Sequence, residues 1–136
     1  MTGAPPAPPG KPDRVEVFRA AVRSGEADRL GRLLVEDVRL RSPVRFKPYV
    51  GRPAALRILA ATARVLGRPR DLARLDDGPL SVLVYEAEVG DQTVQGVDLI
   101  RFDAEGRVAE ITVFLRPASG LEATRQAMVS ALGPMP

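Results

Sequence analysis

Apolar residues in the last part of the chain fall on every second position. In LSVLVYEAEV (80–89), Leu83, Tyr85, Ala87 and Val89 share one face and Glu86 and Glu88 the other. A period of two predicts a strand with one face buried. TVQGVDLIRF (93–102) and RVAEITVFLR (107–116) continue the pattern. Gly90-Asp91 and Asp103-Ala104-Glu105-Gly106 separate the three runs and have hairpin composition. The three strands predict an antiparallel meander.

The first half follows a helical period instead. Val15, Phe18, Ala21 and Val22 lie on one face of a helix that Asp13 can cap and Ser24-Gly25 can end. A short second helix is expected from Glu26 to about Leu34, with Leu30, Leu33 and Leu34 inward and Glu36-Asp37 as its solvated end. In VRLRSPV (38–44), Val38, Leu40, Ser42 and Val44 alternate with Arg39 and Arg41, a half-buried strand that Pro43 keeps short or at an edge. FKPYVG (46–51) reads as a loop. RPAALRILAATARVLG (52–67) reads as a third helix, with Pro53 in its first turn and Gly67 as its stop. A short strand is expected near 70–75, a turn at Asp76-Asp77-Gly78-Pro79, and a C-terminal helix over 119–132 with Ser119 as N-cap. The chain therefore predicts one α+β domain over 13–134, behind a disordered or extended Pro-rich leader at 1–12.

Composition narrows the chemistry. The 136 residues contain no cysteine and no histidine. Thiolate and imidazole chemistry are excluded, and with them a Ser–His–Asp triad and Cys or His metal ligation. Acid–base work falls to Asp, Glu, Tyr, Lys or water. Neither a metal nor a cofactor is expected. The net charge is +3, but the arginines are spread among acids, and four Phe and two Tyr make few stacking platforms. Nucleic acid is therefore not the expected partner. No apolar run approaches the ~20 residues of a membrane span, and the N-terminal stretch lacks a signal-peptide core. The expected location is cytoplasmic.

Strand parity picks out one acid. If Asp98 faces inward, so do Val94, Gly96, Ile100 and Phe102. On the last strand Ile111, Val113 and Leu115 face Glu110, Thr112, Phe114 and Arg116 across the backbone. The more apolar faces are the inward ones, so Asp98 is a carboxylate among Ile, Val, Leu, Phe and Tyr85. Burial there raises its pKa, and a neutral Asp can donate a hydrogen bond or act as general acid. Tyr85 is core or ligand contact. Tyr49 caps a pocket mouth or packs its loop. Ser42 offers a pocket hydroxyl or bonds to backbone before Pro43. Arg41, Arg116 and the Glu86/Glu88 stripe belong to solvent or an interface.

Three segments carry a family resemblance: SGEADRLGRLLVEDVRLRSPV (24–44), FKPYVGRPAA (46–55) and GVDLIRFDAEGRVAEITVFLRP (96–117). In this order the chain resembles the SnoaL-like branch of the nuclear transport factor 2-like superfamily. The resemblance implies a cone-shaped barrel, three N-terminal helices packed in a curved, mostly antiparallel sheet, with a pocket at the wide end. It also implies homodimers formed through the outer sheet face. Family activities include polyketide cyclases, steroid isomerases, epoxide hydrolases and dehydratases. Asp98 matches the place of the protonated oxyanion-hole Asp of the steroid isomerases. Their base carboxylate matches Ser42, and their helix tyrosine matches Phe18. The expected function is a cofactor-independent cyclase, isomerase or dehydratase on a hydrophobic polyketide- or terpenoid-like molecule. Asp98 would be the catalytic group, as acid or hydrogen-bond donor; Tyr85, Tyr49, Ser42, Phe18, Val113, Leu115 and Ile100 would contact substrate. The alternatives are a non-catalytic binding module and a dimerisation domain.

Overall fold

The computed structural model describes residues 12–133, so all of the expected leader except Pro12 lies outside the described residues. The elements are α1 (Arg14–Ser24), α2 (Ala27–Gly31), β1 (Leu34–Arg41), β2 (Tyr49–Val50), α3 (Arg52–Leu66), β3 (Arg70–Asp77), β4 (Leu80–Val89), β5 (Gln92–Phe102), β6 (Val108–Arg116) and α4 (Ala118–Leu132). They form one curved sheet in the order β2-β1-β6-β5-β4-β3. Every neighbouring pair is antiparallel except β1 and β6. The sheet is not closed, because β2 and β3 are both edges. The α+β cone expected from the sequence is the fold observed, with a mixed sheet.

The meander matches its pattern. β4 runs over the expected residues, and its buried positions are Ser81, Leu83, Tyr85, Ala87 and Val89. Gly106 takes the positive φ that its turn requires. The inward faces of β5 and β6 pack against Phe18 of α1 and Ile58 of α3 in one core.

The segment between α1 and α3 departs from expectation. α2 ends at Gly31, and β1 has begun by Leu34, where the helix was expected to continue. Leu34 pairs with Val108 and Arg39 with Glu110, so the residues between them bulge against Ala109. The bulge turns Glu36 and Asp37 side by side into solvent. They lie within a strand rather than at a helix end. It also erases the alternation that marks a strand, while Leu30, Leu33 and Leu34 mimic helical spacing. β1 stops at Arg41 and lies inside the sheet, so Pro43 marks the strand's end rather than an edge. The edge is β2, a two-residue strand inside the expected loop, with Tyr49 opposite Leu40.

Two smaller corrections lie further along the chain. β3 continues through Asp77, into the first half of the expected turn. Asp76 is held in the strand because its carboxylate accepts Ser81 Oγ at 2.5 Å and Arg74 Nε at 3.1 Å. The turn shrinks to Gly78-Pro79. α4 starts at Ala118 after Pro117, so Ser119 lies in its first turn rather than capping it.

Candidate active site

A cavity of about 360 Å³ opens between the concave face of the sheet and helices α3 and α4. That volume lies toward the lower end of small-molecule sites, roughly 300–1,000 Å³. The lining is mostly apolar. Phe18, Leu40, Ile111, Val113 and Leu115 come from α1 and the sheet. Ile58, Leu59 and Leu66 come from α3, and Leu121, Met128, Val129 and Leu132 from α4.

Most polar groups of the lining are already engaged. Thr62 Oγ1 donates to the Ile58 carbonyl at 2.8 Å, and Thr124 Oγ1 to the Gly120 carbonyl at 2.8 Å. Ser42 Oγ accepts the Val44 amide at 3.1 Å, the backbone-bonding role open to a serine before proline. Arg125 pairs with Glu122 at 2.6 Å.

The exceptions among the described residues are the Tyr49 hydroxyl and one oxygen of a pair on β4 and β5. Tyr85 Oη donates to Asp98 Oδ1 at 3.0 Å. The other carboxylate oxygen, Oδ2, has no donor among the described residues and is not sealed from the cavity that Asp98 lines. Burial pushes Asp98 up to about 6; the Tyr85 hydroxyl and the charge of Arg19 oppose that rise. Burial, with the neighbouring Asp98 charge, pushes the Tyr85 phenol well above its ordinary value. At neutral pH Tyr85 therefore keeps its proton, and Asp98 is mainly a carboxylate rather than the neutral acid expected from the sequence. Such a group can take a proton and give it back near physiological pH.

Of the residues expected at the site, Asp98, Tyr85, Tyr49, Ser42, Phe18, Val113 and Leu115 all line the cavity. Tyr49 sits on β2 with the Arg45 guanidinium 4.2 Å from its ring centroid. Ile100 does not line it. It is 1% exposed and packs in the core, opposite Ser81 and Ile111. Inward parity gives the face but not the depth. Val22, on the same helix face as Phe18, packs against the core cluster and does not line the cavity. The contribution of α3 and α4 was missed, although Leu121, Met128 and Leu132 at helical spacing on α4 carried the signal.

Among the described residues no group of acids could hold a metal, and no helix is long and apolar enough to cross a membrane.

No family model matches the chain, and no curated protein matches it. Solved structures do. The chain is 34% identical to a steroid delta-isomerase from Pseudomonas aeruginosa, covering 88% of each chain with a TM-score of 0.81. It is 27% identical to an uncharacterized protein with a cystatin-like fold from Silicibacter pomeroyi, covering 90% of this chain and 86% of that one, TM-score 0.80. An NTF2-like protein of unknown function from Mesorhizobium loti shares 21% identity over 79% of this chain and 98% of that one, with a TM-score of 0.65. The fold is a cone of the steroid isomerase type. The chain belongs to the nuclear transport factor 2-like superfamily.

Proposed function

We propose that the protein is a cofactor-independent enzyme of the isomerase, cyclase or dehydratase type, with Asp98 as its proton-transfer group. The observation that carries this reading is one half-bonded carboxylate, raised to about 6, facing an apolar cavity. In the isomerase form, Asp98 Oδ2 removes a proton from carbon next to a carbonyl. The electron pair moves into an enolate, and the resulting carboxylic acid returns the proton at another carbon. The sum is a rearrangement that needs no second reactant. Tyr49 is the remaining cavity tyrosine and would meet the developing oxygen charge. The lining suits a hydrophobic skeleton of polyketide or terpenoid kind, as in the SnoaL-like branch. The steroid delta-isomerase of Pseudomonas aeruginosa supports the reaction class by its name.

A second reading is a binding module for the same class of ligand. It is favoured by Phe18 and Ser42, which offer neither the phenol nor the carboxylate that the steroid isomerases carry there. Turnover of hydrophobic enones by wild type and Asp98→Asn separates the two. Loss of at least about a hundredfold in kcat/KM, with a wild-type acid limb near pH 6, supports the enzyme. Ligand binding with no turnover by either protein supports the module.

We also propose that two copies pair through the outer sheet face. Leu75, Val82 and Leu99 form one row across that face, and Ala73, Val84, Val97 and Phe114 the next. Beyond the second row lie Arg70, Glu86, Gln95 and Arg116, which bond to one another, and beyond the first lie Asp77, Leu80, Arg101 and Glu110. An apolar stripe between mixed-charge rows is complementary to a second copy of itself.

A further inference from the structure

Tyr85 and Asp98 are not directly opposed. Tyr85 faces Gly96 across the β4–β5 ladder, and Asp98 faces Leu83. A bond between diagonal neighbours requires a long side chain lying along the sheet rather than standing off it. Tyr85 lies this way, and the space it uses belongs to residue 96. A Cβ at position 96 would come within 2.5 Å of Tyr85 Oη and 2.6 Å of Cε1, and would also meet Cζ.

Backbone conformation does not call for glycine here. Gly96 is absent from the glycines with positive φ, so its backbone suits any residue. Glycine in a strand interior weakens the strand and often marks a close approach. The close approach at Gly96 is the tyrosine ring.

We propose that Gly96 is a positioning residue: its missing side chain is the seat that lets Tyr85 lie across β5 and set its hydroxyl on Asp98. The ring has little freedom to yield. It is a rigid plane on a central strand and 6% exposed. A methyl group at 96 must displace the phenol and so break the bond to Asp98. Gly96 would thereby fix how strongly the carboxylate holds its proton without touching a ligand. The groups that face Asp98 are Tyr85 from β4 and Arg19 from α1; Tyr49 of β2 and Arg125 of α4 share its cavity. Of these, Tyr85 is the one that position 96 controls.

The proposal rests on the reading of Asp98 as the working group, but its test uses the free protein, so the two can fail separately. The Asp98 carboxyl is titrated by carbon-13 NMR in wild type, Tyr85→Phe and Gly96→Ala. Both variants should titrate about one pH unit above wild type, and Gly96→Ala should add nothing in the Tyr85→Phe background. A folded Gly96→Ala protein with the wild-type titration overturns the proposal.

Denaturation midpoints keep the test decisive if Gly96→Ala folds poorly. The alanine should cost stability beside Tyr85 and beside Phe, and little or nothing beside Tyr85→Ala, where the ring is gone. An equal cost in all three backgrounds overturns the seat. A turnover assay that fails for every variant bears on the enzyme reading alone.

Discussion

Asp98 accepts the Tyr85 hydroxyl at 3.0 Å, and burial pushes both acids upward to opposite sides of neutrality. The carboxylate is the member with a cost at working pH. Its pKa rises from 3.8 to about 6 on folding, so the folded chain binds more protons between those values. Stability contributed by Asp98 is present below pH 3.8 and is lost as the pH rises through 6. The full penalty is roughly 3 kcal/mol. Asp98→Asn removes it. The variant should gain up to about 3 kcal/mol more, relative to wild type, at pH 8 than at pH 4. Urea denaturation at the two pH values checks this, and equal effects at both would show that Asp98 is not held against its charge.

The same residue shows what a sequence reader can and cannot obtain. The inward face of β5 follows from alternation alone, because β4, β5 and β6 each bury one side and expose the other. Those strands, their two hairpins and α3 were legible for that reason. β1 was not, because its bulge against Ala109 puts Glu36 and Asp37 on the same side and breaks the period. β2 is too short to carry a period. The inward character of Asp98 and Tyr85 was legible, but their bond was not. It depends on a diagonal across two strands and on space at Gly96, and pairing register is a tertiary fact. The far wall of the cavity was also hidden, since an amphipathic helix such as α4 announces a buried face without saying what it covers.

α4 reaches that wall by a close approach of its own. Gly120 is buried against β5, and a Cβ there would lie 2.8 Å from Val94 Cγ1 and 3.3 Å from the Thr93 carbonyl oxygen. Val94 is fully buried and cannot give way. Gly120→Val should push the first turn of α4 off the sheet, at a cost of about 1–3 kcal/mol. The cavity should loosen with it, because Leu121, Thr124 and Arg125 line it just beyond the contact. Affinity for an apolar fluorescent ligand should fall together with the denaturation midpoint. A stable variant with unchanged affinity would show that α4 is seated elsewhere.

Asp13 joins the N-terminus of α1 to β3. Its Oδ1 accepts the Val15 amide at 3.0 Å, and its carboxylate takes the Arg74 guanidinium at 2.5 and 2.9 Å. The hydrogen bond from Arg74 holds the Asp13 carboxyl below its ordinary value. Its stabilising contribution is therefore present above pH 3.8 and lost as the pH falls below that value. Asp13→Ala should cost about 1–2 kcal/mol at pH 7 through the lost cap and the lost ion pair. Asp13→Asn should cost less, since an amide oxygen still caps the helix. Denaturation at pH 7 orders the three proteins, and an asparagine variant as unstable as the alanine variant would put the whole effect on Arg74.

Phe114 tests the outer face of the sheet. It is 54% exposed and lies opposite Val97, in a row with Val84 and Ala73. An exposed aromatic side chain that ends an apolar row is the kind of anchor that carries the binding energy of an interface. If two copies pair through this face, Phe114→Glu places two carboxylates against each other or against the partner's apolar row. Burying an unpaired charge there should cost several kcal/mol of association. Light scattering should give twice the chain mass for the wild type and a single chain mass for the variant. The cavity lies on the opposite side of the sheet, so Asp98 should titrate near 6 in both. A wild type that stays monomeric at millimolar concentration would leave the apolar stripe without a second copy and overturn the pairing.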